Sequence, residues 1–111
     1  MIKIINTSLI ILTCFFCFAY TSSTKKQQEI IVYGSDECHY CIDTKTFLNQ
    51  NNISFTYYDI DINKDKEQEM LSKLNGAKIP IDSFQLPVVD KNGTIFINGQ
   101  NFIAFLKKII E

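Results

Sequence analysis

From Glu29 onward the spacing of apolar and polar positions changes several times, and each change marks an element. EIIVYG, Glu29 to Gly34, is a short apolar run ending at a glycine and reads as a buried strand. Gly34, Ser35 and Asp36 are turn and cap residues. From His39 to Asn51 the period lengthens. Cys41, Thr44 and Leu48 recur at spacings of three and four, with Phe47 beside them, which predicts a helix. The polar run QNN breaks it. ISFTYYDID, Ile53 to Asp61, alternates and is rich in β-branched and aromatic residues, so a second strand is expected. Asn63 is placed to cap a second helix, with Met70, Leu71 and Leu74 as its inner stripe. Gly76 is expected to end that helix by taking a left-handed conformation.

AKIPIDSFQ reads as a loop and LPVVD as a strand. Asn92-Gly93 is a hairpin signal, and TIFIN is the partner strand. Asn98 to Asn101 make a turn or cap. Phe102, Phe105, Leu106 and Ile109 give a last amphipathic helix. The order β-α-β-α-β-β-α predicts an α/β domain with a four-stranded mixed sheet and three helices. The first two strands, joined through a helix, are expected to be parallel with a right-handed crossover. The last two form a hairpin, and helices on both faces bury the apolar strands. A region of about 80 residues suffices for one such core.

The N-terminal residues follow another pattern. Lys3 supplies a positive start, Leu9 to Tyr20 runs LIILTCFFCFAY without a charge, and polar TSSTKKQQ follows. A positive start, a short apolar run and small residues after it form a secretory signal, with cleavage at Ala19 or among Thr21 to Ser23. The run is short for a membrane span, but extended back to Ile4 it reaches the length of an uncleaved anchor. The chain therefore divides into a signal peptide or membrane anchor at 1–23, a linker at 24–28 and one folded domain at 29–111. The expected location is secreted or in the periplasm or cell envelope, with residues 4–20 as a membrane tether if uncleaved. ILTC resembles a lipobox at Cys14, but FFCFAY continues the apolar run beyond it.

Composition narrows the classes. The formal net charge is −1, so no broad basic surface for nucleic acid is implied. All eleven basic side chains are lysines, scattered along the chain, and arginine's bidentate clamp is absent. Four cysteines form two C-x-x-C pairs, a count close to a zinc ribbon. Zinc needs thiolates on a folded knuckle. Cys14 and Cys17 lie inside the apolar run, so no four-cysteine metal site is expected and the pair Cys38 and Cys41 remains.

Cys38 falls at the end of a strand-to-helix turn, and Cys41 one turn into the helix. Unpaired N–H groups and the macrodipole at a helix start favour a thiolate, which is the reactive form. Asp36 and Glu37 act in the opposite sense. Cys38 is expected to be the exposed nucleophile and Cys41 the inward resolving thiol. His39 and Tyr40, between them, are read as tuning residues, with Tyr40 as a groove wall.

The run CHYC, after a strand and at a helix start, resembles the C-P-Y-C of dithiol glutaredoxins, within the thioredoxin-like superfamily. The resemblance covers Glu29 to about Ile110. It implies the thioredoxin-like (glutaredoxin) fold and thiol–disulfide oxidoreductase activity on disulfide-bearing protein or small-thiol substrates, with a redox partner and no bound cofactor. The family's T-V-P segment, whose cis-proline faces the cysteines, has two possible counterparts here, Pro80 and Pro87. A strand, turn and strand follow Pro87 directly, so Leu86 and Pro87 are assigned to the substrate or glutathione groove. The family's G-G turn corresponds to Asn98-Gly99, which adds Gly99, Gln100 and Asn101 to that groove. The departures are Ser35 where the family often has a basic residue, and Gln100 or Asn101 where it has an acidic one. Glutathione is therefore expected as a weak co-substrate, and the domain as a monomer. The competing readings are a metal or iron–sulfur cluster binder and a redox-inactive binding module on the same scaffold.

Overall fold

The computed structural model describes residues 28–111. The segment read as signal or anchor, and the linker up to residue 27, lie outside the described residues. No helix among the described residues is long and apolar enough to cross a membrane.

The elements are β1 (Ile30–Gly34), α1 (His39–Gln50), β2 (Thr56–Asp59), α2 (Lys64–Gly76), β3 (Gln85–Lys91), β4 (Thr94–Asn98) and α3 (Phe102–Ile110). They form one four-stranded mixed sheet in the order β2-β1-β3-β4, the thioredoxin-like arrangement expected from the alternation of periods. β1 and β2 are parallel, with Val32 opposite Tyr57. β3 is antiparallel to both β1 and β4, with Val89 opposite Val32 and Phe96.

Period-two alternation sends neighbouring strand residues to opposite faces. Val32 and Val89 pack on one face with Leu48 of α1 and Phe105, Leu106 and Ile109 of α3. Tyr33 and Val88 pack on the other with Met70 and Leu74 of α2. The buried Tyr33 keeps a polar tip. Its hydroxyl donates to Glu69 Oε2 at 2.6 Å and accepts from Lys73 Nζ at 2.6 Å, and Lys73 also donates to Asp90 Oδ2 at 2.7 Å. Burial first, and then Glu69, push the Tyr33 phenol up to about 12. Burial opposes the charge on Lys73, but Asp90 and Tyr33 outweigh it and hold the amine above its usual range. Asp90 Oδ1 accepts from Gly93 N–H at 2.7 Å, so the same network ties α2 to the hairpin.

Two boundaries differ from the sequence reading. Gly76 does not take the left-handed conformation; it is the last residue of α2, and Lys78 takes that conformation at φ 60°. Lys78 N–H donates to Asn75 O at 3.0 Å and Ile79 N–H to Leu74 O at 2.9 Å, a Schellman closure centred two residues later than expected. Ile79 thereby packs against the α2-side core, and that burial places the turn. α1 ends in the same way, with Asn52 at φ 55° and Ile53 N–H on Leu48 O at 2.9 Å. Ile53 therefore belongs to the helix cap, and β2 is shorter than the alternating run. At its far end Asp59 Oδ1 accepts from Asp61 N–H at 2.9 Å and turns the chain out of the ladder.

Candidate active site

β1 ends at Gly34, whose carbonyl accepts from Ile60 N–H at 2.9 Å and so holds the end of β2 beside it. The chain then turns, and Ser35 O accepts from Cys38 N–H at 3.0 Å. Cys38 is the N-cap of α1, with φ −92° and ψ 116°, and its side chain makes no cap hydrogen bond. Its carbonyl accepts from Cys41 and Ile42 N–H, each at 3.1 Å. The thiol is thus left free beside the unpaired N–H groups of a twelve-residue helix.

The two sulfurs have different surroundings. Both are free thiols; Cys38 is half-buried and Cys41 is wholly buried. Burial first, and then the adjacent Cys38 thiol, push Cys41 up to about 12, while Ser35 N–H and Lys45 pull it back. Ser35 N–H donates to Cys41 Sγ at 3.5 Å. Gly34 leaves room for that sulfur. A Cβ at position 34 would lie 2.8 Å from Cys41 Sγ and 3.0 Å from Tyr57 Cε2.

Opposite Cys38 stands the start of β3. Its Sγ is 4.0 Å from Leu86 O. The Leu86–Pro87 bond is cis, and Pro80 lies back in the α2–β3 loop. The β3–β4 register is irregular between Gln85 and Val88, where Pro87 has no N–H to give the ladder. Asn98, buried at the end of β4, donates from Nδ2 to Leu86 O at 3.4 Å.

The other residues singled out from the sequence divide. His39 is exposed, its ring stacked on Tyr40 at 4.5 Å and its Nε2 3.4 Å from Asp43 Oδ2. Tyr40 packs on Phe102 at 4.8 Å, so the first turns of α1 and α3 meet. Leu86 and Pro87 are at Cys38. Gly99, Gln100 and Asn101 instead line a groove between β4 and α3 with Ile95, Phe96 and Lys108. Asn101 Oδ1 accepts from Ala104 N–H at 3.0 Å, so its side chain caps α3.

Four residues at the site were not visible as such in the sequence: Gly34, Ser35, Tyr57 and Asp61. Ser35 Oγ donates to Asp61 Oδ2 and accepts from Glu37 N–H at 3.2 Å. Tyr57 has a buried hydroxyl close to Asp36 that makes no hydrogen bond of regular geometry. Burial first, and then Asp36, hold the Tyr57 phenol above its usual range. Lys45 lies 3.8 Å over the Tyr57 ring and 3.2 Å from Asp36 Oδ1. Lys45 first, then Tyr57, keep the Asp36 carboxyl below its usual range. The signal for Ser35 was its position in the turn, but nothing local in the sequence pairs it with Asp61.

Residues 30–102 match the glutaredoxin family. No curated protein matches the chain in sequence. Among solved structures the fold is similar to glutaredoxin 1 from Francisella tularensis, crystallised with cacodylate, at 19% identity and a TM-score of 0.57, covering 76% of this chain and 98% of that one. It is also similar to a thioredoxin-like protein at 24% identity and a TM-score of 0.57, covering 74% and 99%. A glutaredoxin from Archaeoglobus fulgidus shares 24% identity with a TM-score of 0.55, covering 78% and 89%. These likenesses show the fold, and the family match spans well over half of the chain: it belongs to the glutaredoxin family of thiol–disulfide oxidoreductases.

Proposed function

We propose that this chain exchanges disulfides with protein clients through Cys38 and Cys41, with Cys38 as nucleophile and Cys41 as resolving thiol. The Cys38 thiolate attacks one sulfur of a client disulfide. A Cys38–client bond forms, the client disulfide breaks, and the leaving sulfur takes a proton. Cys41 then gives up its proton to solvent and attacks the Cys38 sulfur. The Cys38–Cys41 disulfide forms and the second client thiol departs. The client gains two electrons and the pair loses two; an external thiol reductant restores the pair, or the sequence runs in reverse. The observation that carries this reading is the contrast between a half-exposed Cys38 at a helix start and a wholly buried Cys41 one turn later.

The surroundings support protein clients over glutathione. Asp36, Glu37 and Asp43 are exposed about the turn and the first turns of α1, and the nearby Lys45 is paired with Asp36. This acidic ground opposes the carboxylates of glutathione. The exposed Tyr40 offers apolar contact to a peptide segment. Ser35 carries no charge, and Asn101 is engaged as a cap. Each missing charge-assisted bond to glutathione removes about 1.5–3 kcal/mol of binding. His39 and Tyr40 tune the pair from the helix surface. The export expected from residues 1–23 places such clients outside the cytoplasm.

The test is a trap. Cys41→Ser is expected to accumulate mixed disulfides with clients, and Cys38→Ser none. The reverse pattern overturns the assignment, and equal full activity of both variants removes the redox reading in favour of a binding module. Glutathione-coupled turnover is expected to be weak; robust turnover refutes the preference for protein clients.

A further inference from the structure

Both cysteines are tied to Ser35. Its carbonyl oxygen accepts from Cys38 N–H at 3.0 Å, and its own N–H donates to Cys41 Sγ at 3.5 Å. Its hydroxyl accepts from Glu37 N–H at 3.2 Å and donates to Asp61 Oδ2. Ser35 is 6% exposed, and the Asp61 carboxylate that it meets is exposed. The Glu37 contact is local to the turn. Asp61 comes from another element, the connection after β2, and is itself held by Asp59 through its N–H at 2.9 Å.

We infer that the Ser35–Asp61 hydrogen bond is a positioning device for the resolving step, fixing the Ser35 N–H on the Cys41 sulfur where negative charge must form. The inference rests on the disulfide-exchange reading above. Cys41 is wholly buried, so its thiolate has no hydration shell, and a donor in place before the charge forms favours it. A backbone N–H moves only if its turn moves. The peptide that carries this N–H is held on its carbonyl side by Ile60 N–H on Gly34 O at 2.9 Å, and the bond to Asp61 adds a side-chain anchor from the connection after β2. The side chains of Ser35 and Asp61 make no hydrogen bond to the Cys38 sulfur, which meets Leu86 O, and they act through Cys41. The Asp61 charge itself opposes a nearby thiolate, so its benefit is geometric, and a neutral acceptor of the same shape should serve.

In the step concerned, Cys41 loses its proton to solvent and its sulfur attacks Cys38. The Cys38–Cys41 bond forms, the Cys38–client bond breaks, and the client thiolate leaves and is protonated. The experiment uses the reduced full chain and a symmetrical peptide disulfide in a single turnover. Attack is read as mixed-disulfide formation in a Cys41→Ser background. Resolution is read as release of the second peptide thiol with Cys41 present. Ser35→Ala and Asp61→Ala are each expected to slow resolution about tenfold, with attack within about twofold. The double variant should be no slower than either single one, and Asp61→Asn should resolve near the original rate. Asp61 is exposed, so its variants report even if Ser35→Ala does not fold. Equal slowing of both steps, additive losses, unchanged resolution, or loss in Asp61→Asn equal to that in Asp61→Ala overturns the inference. An unaltered chain that never attacks the peptide disulfide removes the exchange reading, and this inference with it. Normal turnover with unaffected variants removes this inference alone.

Discussion

Replacing Gly34 by alanine tests the packing on which the buried thiol depends. The new methyl would lie 2.8 Å from Cys41 Sγ, 3.0 Å from Cys41 Cβ and 3.0 Å from Tyr57 Cε2. None of these atoms is the end of a mobile chain. Cys41 is wholly buried on α1, and Tyr57 is held in β2 opposite Val32. α1 must therefore shift away from the sheet by several tenths of an ångström, or the end of β1 must bend. Forcing an extra carbon into a close-packed site costs about 1–3 kcal/mol. In a domain of this size each kcal/mol lowers the melting temperature by about 4–8 °C. Urea or thermal unfolding of the reduced protein measures the loss. The cause is isolated by a double-mutant cycle with Cys41→Ala, which removes the nearest atom. Gly34→Ala should cost less in that background than in the original chain. The same shift pulls Cys41 Sγ off the Ser35 N–H, so resolution should slow more than attack. A Gly34→Ala protein with unaltered stability, or one whose loss is identical with and without the Cys41 sulfur, refutes the reasoning.

Other expectations follow from the same structure. Because Cys41 is pushed up to about 12, the folded state keeps a proton that the unfolded chain releases from about 9, so stability is complete below pH 9 and is lost as pH rises toward 12. Chemical denaturation across that range should show the decline, and Cys41→Ala should flatten it. Lys78, at φ 60°, occupies a conformation that disfavours a side chain, so Lys78→Gly should raise stability by about 1 kcal/mol. A loss on urea unfolding would contradict the left-handed closure of α2.

The legible parts of the fold were those set by local chemistry. Asn92-Gly93 makes the hairpin, Asn92 at φ 52° and Gly93 at φ 92°, as that dipeptide predicts. Asn63 caps α2 by accepting from Lys66 N–H at 3.2 Å. Leu86 O stands 4.0 Å from Cys38 Sγ, where Pro87 leaves a gap in the β3–β4 ladder. What escaped the sequence depends on partners distant in the chain. The left-handed residue after α2 is Lys78 and not Gly76 because burial of Ile79 chooses the turn. Tyr33 read as one more apolar strand residue, yet its hydroxyl joins Glu69 and Lys73, 36 and 40 residues away, in a paired network. Ser35 read as an absent basic residue, and its bond to Asp61 exists only once β1 and β2 lie side by side.

The central claim is that Cys38 and Cys41 form one two-electron redox couple. It is tested most directly by equilibrating the protein in a graded series of reduced and oxidised dithiol buffers, trapping free thiols by alkylation, and weighing the products. The account predicts that both thiols disappear together in a single two-electron transition, with an internal Cys38–Cys41 disulfide as the product. A midpoint near about −120 mV would mark an oxidant of clients, and one near about −270 mV a reductant. Thiols that stay open to alkylation throughout the series, or that vanish independently of one another, would contradict it.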